Sequence, residues 1–146
     1  LQENVSAASI EQLANAAAHL LLTEDAAADD FADELLRRER IAPTWAAPQM
    51  ILLHGYFARQ ERARFGVMHL AHPLPYGGDA VQTALVMLAS AGEAEMERQL
   101  LGHIAAQIAD RPTFADILAH GDAAGIRREL EYVLEEHFRE HLEQLL

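Results

Sequence analysis

Histidine is the conspicuous chemical resource of this chain: 146 residues hold eight of them and no cysteine. An imidazole can act as nucleophile, base or metal ligand near neutral pH, so position decides which is expected. His54 stands apart because it ends the apolar run Met50-Ile51-Leu52-Leu53 and is followed by Gly55, so a buried strand turns there and the ring reaches the rim of a sheet. The others read as structural or surface groups. His69 and His72 are three apart on an expected strand, which would put them on opposite faces. His137 and His141 share a helix face at a spacing that suits a metal, but Glu135, Glu136, Arg139 and Glu140 surround them, the composition of a solvated face. His19, His103 and His120 stand singly in helical segments. No His-Glu-x-x-His motif or carboxylate-rich loop occurs, so neither a metal site nor a cofactor is expected.

Composition narrows the classes further. All 11 basic residues are arginine, against 23 acidic ones, and the formal charge of −12 has the wrong sign for holding a nucleic-acid backbone. No apolar run approaches the roughly 20 residues that span a bilayer, so membrane insertion is not expected. Without cysteine, disulfides, thiolate nucleophiles and cysteine-bound zinc are excluded, and with no apolar leader the expected location is the cytoplasm. The length suits a single domain over residues 1–146, and the first residue, Leu rather than Met, fits a piece of a longer protein.

The elements that must position His54 follow from periodicity. Ser9–Leu22 opens on a capping Ser with Gln12 three residues on, and Ile10, Leu13, Ala17, Leu20 and Leu21 recur at helical spacing. A second helix is expected over Asp25–Arg40, with Phe31, Leu35 and Leu36 on one side, stopping before Pro43. The period then changes. Residues 50–53, Phe65–Leu70 and Ala84–Leu88 read as buried strands bounded by turn residues such as Pro73, Pro75, Gly77 and Gly78. From Glu93 helical spacing returns through Met96, Leu100, Ile104 and Ile108. A short helix is expected over Pro112–Leu118, with Gly121 as a stop, and a long terminal one from Gly125, whose apolar stripe of Ile126, Leu130, Val133, Leu134, Phe138, Leu142 and Leu145 suits pairing with a second copy. The expected fold is α/β: a small mixed sheet flanked by helices on both faces.

Leu35-Leu36-Arg37-Arg38-Glu39-Arg40-Ile41-Ala42-Pro43-Thr44-Trp45, followed by Met50-Ile51-Leu52-Leu53-His54-Gly55, resembles a stretch of the mannitol/fructose-type enzyme IIA domains of the sugar phosphotransferase system. There a helix ending in Arg-Glu, a Ser/Thr loop and an apolar strand lead into Pro-His-Gly. Ala84–Leu88 is similar to the family's next core strand, and the run from Leu100 to Asp110 to its Leu-Leu-Ser-x-Ile-Ala helix, so that the likeness extends from Asn4 to about Leu130.

The resemblance implies a phosphohistidine relay in which a phosphocarrier protein loads His54 and a sugar-specific enzyme IIB-like domain unloads it. Arg38 matches the family arginine, whose forked donors suit phosphoryl oxygens. Thr44 would sit in the loop beside the site, and Gly55 would keep the backbone close to the ring. The chain departs from the family at Gln49, where a glycine is usual, at Leu53, where proline is usual, and at Glu97, where the family has a second histidine. A carboxylate within about 5 Å of a doubly charged phosphoryl group would repel it by several kcal/mol at an effective dielectric of about 20. The resemblance therefore also admits a regulatory enzyme IIA-like module of a transcriptional activator or antiterminator, with transfer weakened or lost.

Overall fold

The computed structural model describes the backbone of residues 1–57, 64–89 and 94–145, the side chains of 94–97 and 135–145 lying outside the described residues. Helix α1 (Ile10–Leu21) begins where the Ser9 hydroxyl accepts the Gln12 N–H at 3.2 Å and the Gln12 side chain accepts the Ala8 N–H at 2.8 Å. This reciprocal cap satisfies a donor that a helix start leaves open and ties down the chain entering it. Helix α2 (Asp25–Ile41) ends because proline pushes the residue before it out of helical backbone, and Ala42 is already extended, with φ −157° and ψ 115°.

Five strands follow the order β1-β4-β5-β3-β2 across one sheet: β1 (Gln2–Val5), β2 (Trp45–Ala47), β3 (Met50–Tyr56), β4 (Arg64–Tyr76) and β5 (Asp79–Ala89). The sheet is mixed, as expected. β1 runs parallel to β4 and β3 to β5, while β2–β3 and β4–β5 are antiparallel. The three strands expected from sequence are the three central ones, and the β4–β5 hairpin is longer than the sequence suggests. Its turn is Gly77-Gly78, with φ of +59° and +87°, the left-handed pair that a two-residue hairpin requires. Pro73 and Pro75, expected to bound a strand, lie inside β4 instead. β1 pairs with β4 only at Met68 and Leu70, so among the described residues the outer edge of β4 beyond Leu70 has no strand beside it, and a missing N–H costs little there.

Alternation along the strands sends Ile51 and Leu53 of β3, Met68 and Leu70 of β4 and Ala84, Val86 and Leu88 of β5 into one core with α1 and α2. The helices contribute Leu13, Leu21, Phe31 and Leu35. Each such large side chain contributes roughly 1.5–3 kcal/mol relative to an exposed one. Small residues set the spacing: Ala14, Ala17 and Ala18 are fully buried on α1, and a Cβ on Gly66 would stand 2.8 Å from Leu20 Cδ2. Met50, Leu52, Leu85 and Met87, on the opposite face of β3 and β5, are buried as well, which is why these strands read as continuous apolar runs rather than as alternating ones.

The described residues divide into two compact units, Leu1–Ala94 and Glu95–Leu146. The second comprises all but the first residue of α3 (Ala94–Asp110), with α4 (Pro112–His120) and α5 (Ala123–Leu145). Ile104, Ile108, Ile126 and Val133 of the expected stripes are buried, as are Phe114 and Leu118 of α4. Arg111 ties this unit together: it donates to Gln107 at 3.2 Å and Glu129 at 3.5 Å, with the Phe114 and Tyr132 rings 5.9 and 5.6 Å away. Met96, Phe138, Leu142 and Leu145 of the expected stripes, and the His137/His141 pair, have side chains outside the described residues. No helix among the described residues is long and apolar enough to cross a membrane.

Candidate functional site

β3 and β5 run parallel, with His54 opposite Met87 and Tyr56 opposite Ala89, so their carboxyl ends lie side by side. That is the edge at which open α/β sheets hold their sites. His54 is half-buried there. Gly55 is turned toward α2: a Cβ on it would meet Glu34 Cγ at 2.9 Å and Phe31 Cε1 at 3.3 Å. The glycine therefore lets α2 close on the end of β3. Strand alternation then directs His54 and Tyr56 to the other face.

Arg38 reaches this strand end. Its guanidinium carbon lies 4.4 Å from the centroid of the Tyr56 ring, well inside cation–π range. The Arg38 Nε donates to Glu34 Oε1 at 3.2 Å, and Arg37 holds the same carboxylate through Nε at 3.0 Å and Nη2 at 2.8 Å. Burial works to raise the Glu34 carboxyl, but hydrogen bonds and attraction from Arg37 and Arg38 outweigh it and hold the group below the ordinary carboxylate value. The Glu34 hydrogen bond correspondingly raises Arg37.

Thr44 is fixed through its backbone more than through its hydroxyl, which donates to the Ala42 carbonyl at a long 3.5 Å. Its carbonyl accepts the Leu52 N–H at 2.9 Å, carrying the Trp45–Ile51 pairing of β2 and β3 back along the chain toward His54. Its N–H bonds to Glu39, a carboxylate buried at 5% exposure that also accepts the Tyr76 hydroxyl at 3.0 Å. Burial raises the Glu39 carboxyl, and the two hydrogen bonds offset only part of that. Tyr76 is pushed up to about 12 by its own burial, then by the bond to Glu39 and the negative charge of Glu39 and Glu11. Trp45 leans on the Tyr76 ring at 6.1 Å, so the hairpin tip, the end of α2 and the start of β2 meet around one buried acid.

The departures from the family pattern have distinct outcomes. Gln49 has φ +63°, in the left-handed region where glycine is at ease, and it follows Pro48 as the second central residue of a tight turn before β3. Its backbone is anchored, the N–H donating to Asp79 at 3.1 Å and the carbonyl accepting from Gln82 and Thr83. Leu53 fills the core at 1% exposure. Glu97 stands in the first turns of α3, in the second unit, and its side chain lies outside the described residues.

The remaining histidines are scattered. His19 sits against the Asn15 carbonyl at 2.9 Å, with Asp25 at 3.6 Å, and His120 is exposed 4.0 Å from Asp116. His69 comes within 4.0 Å of Glu3 on β1. His72 is exposed and lines a small open cleft with Ser6, Ala7, Ala8 and Gln12. A register shift between His69 and Leu74 breaks the simple alternation by which the two were expected on opposite faces. Among the described residues no group of three metal-ligating side chains is placed to hold an ion.

Glu34, Glu39, Tyr56 and Tyr76 are not among the residues expected at the site from sequence. Two of them carried a signal. Glu34 precedes Arg37 by three and Arg38 by four, the spacing at which side chains meet on a helix. Glu39 continues the stripe Phe31-Leu35 by another four residues, so an acid was written on the apolar face.

Comparison with known proteins accords with this architecture. Among solved structures, nitrogen regulatory protein IIA-Ntr from Neisseria meningitidis is similar with a TM-score of 0.71 at 17% identity, over 91% of this chain and 90% of that one. The IIA mannitol structure from Escherichia coli is similar with a TM-score of 0.60 at 15% identity, over 87% and 92%. At these identities the likeness establishes the fold. A search of curated proteins finds no match. The family model described as phosphoenolpyruvate-dependent sugar phosphotransferase system, EIIA 2, matches residues 1–133, reaching across both units, and the chain belongs to that family.

Proposed function

We propose that this chain is a phosphoryl-accepting enzyme IIA domain in which His54 carries the phosphoryl group and Arg38 neutralises it. The observation that supports this most directly is the pairing of a half-buried histidine at the carboxyl end of β3 with an arginine whose guanidinium lies over Tyr56, two residues further along the same strand face. A neutral imidazole nitrogen attacks the phosphorus of the loaded carrier. The new P–N bond forms from its lone pair as the bond to the carrier breaks, and the carrier leaves with that electron pair. Transfer onward to an enzyme IIB-like domain reverses the roles. Little covalent chemistry is asked of the protein; positioning and charge are what it supplies.

Both units belong to this one domain in our reading, since the family match spans them. Incubation with the general phosphotransferase proteins and labelled phosphoenolpyruvate tests the proposal. Label is expected on the wild type and absent from His54→Ala; no label on the wild type, or equal label on both, contradicts it.

A regulatory reading is favoured by one observation, Glu97 in place of the family's second histidine. It draws further support from the likeness to a protein titled nitrogen regulatory. In that case transfer through His54 is weakened or lost, and no label passes on to a sugar-specific domain. Passage of label from His54 to such a domain would exclude it.

A further inference from the structure

We propose that Glu34 and Tyr56 are positioning residues that together mount Arg38 for the phosphoryl group, an inference that rests on the function proposed above. The two hold different parts of one guanidinium. Glu34 takes the Nε edge at 3.2 Å, and the guanidinium carbon lies over the Tyr56 ring, 4.4 Å from its centroid, so the group is held at two separate points. Neither contact uses the terminal amino groups, the paired donors that suit two oxygens of a phosphoryl group.

An acid beside a phosphoryl site would ordinarily repel the group, and Arg37 answers this. Its two-point grip at 3.0 and 2.8 Å is the tighter of the two and takes up the Glu34 charge, so the set of three carries one net positive charge, left to Arg38. Glu34 can stand there because Gly55 has no side chain, a Cβ on it falling 2.9 Å from Glu34 Cγ. The residue after the acceptor histidine thus makes room for the group that aims the arginine. The Tyr56 ring is delivered by the strand itself, at the next position on the face His54 occupies.

The test measures transfer of labelled phosphoryl groups from the loaded carrier to the full chain, in wild type and variants whose folding is checked by thermal unfolding. Glu34→Ala and Tyr56→Leu are expected to lower the maximal rate about tenfold with the KM for the carrier unchanged, the size expected for losing about 1.4 kcal/mol of transition-state stabilisation. Glu34→Gln and Tyr56→Phe, which keep the acceptor oxygen and the ring, are expected to retain most of the rate. In an Arg38→Met background the Glu34 and Tyr56 substitutions are expected to have no further effect. If Glu34→Ala fails to fold, Tyr56→Leu carries the same test. Label on the wild type with unchanged rates in both variants, or losses that persist in the Arg38→Met background, overturn the mounting role alone. No label on the wild type overturns the function on which it rests.

Discussion

Where a side chain at Gly55 would begin, Glu34 already stands: a Cβ there would lie 2.9 Å from Glu34 Cγ and 3.3 Å from the Phe31 ring. Gly55→Ala is therefore expected to destabilise the protein by about 1–3 kcal/mol, the usual cost of overfilling a packed site. Chemical denaturation measures it. Adding Glu34→Ala should recover part of the loss, because the nearer contact disappears while Phe31 remains. Equal stability of Gly55→Ala and wild type would show that α2 does not depend on this close approach.

Gln49 sits in left-handed backbone at φ +63°, a conformation that a side chain disfavours by about 1–2 kcal/mol. Gln49→Gly removes that strain but adds chain entropy to the unfolded state, for a net gain of about 0.5–1 kcal/mol. The hydrogen bonds it makes to Asp79, Gln82 and Thr83 are all backbone and are kept. A rise in Tm of roughly 2–4 °C is expected. A fall would mean that the Gln49 side chain contributes something the turn needs.

Buried Glu39 and half-buried Tyr76 write two pH windows into stability. The Glu39 carboxyl is raised above its ordinary 4.5 in the folded chain, so its contribution is whole below that value and is lost as pH rises through the folded pKa. Tyr76 is shifted in the same direction, from 10.0 to about 12, so stability falls again as pH rises between those values. Urea unfolding across pH should show Glu39→Gln without the first decline, and Tyr76→Phe without the second. Glu39→Ala, which leaves the part-buried tyrosine hydroxyl without its acceptor, should instead cost about 1–3 kcal/mol. Identical pH profiles for wild type and Glu39→Gln would contradict the assignment.

Ser9→Ala tests the start of α1. The lost cap at Gln12 should cost about 1 kcal/mol, read by thermal unfolding, whereas Ser9→Asp should hold stability.

The parts of the fold that could be read from the sequence are those where local chemistry and tertiary burial agree. Ser9 and Pro43 bound their helices as such residues do, and β3 and β5 announce themselves because both of their faces are buried. The two edge strands were invisible for the opposite reason. β1 is four residues with only Val5 buried, kinked by Asn4 at φ +56°, and β2 is three half-buried residues. Pro73 and Pro75 misled because β4 beyond Leu70 has no strand on its outer edge among the described residues, which no local pattern records. The family likeness singles out His54 and Arg38 as expectations, but the groups packed around Arg38 left no such mark. Glu34 reads as one more helix-surface acid until Gly55, 21 positions on, is packed against it.

Charge bookkeeping around Arg38 depends on His54 being the group it serves. The measurement that bears on this most directly is the site of phosphorylation after incubation with the general phosphotransferase proteins and labelled phosphoenolpyruvate, mapped by fragmenting the labelled chain under conditions that spare a P–N bond. Label is expected on the peptide containing His54, lost in His54→Ala and strongly reduced in Arg38→Met. Label on any of the other seven histidines, or a wild type that takes none, would contradict it.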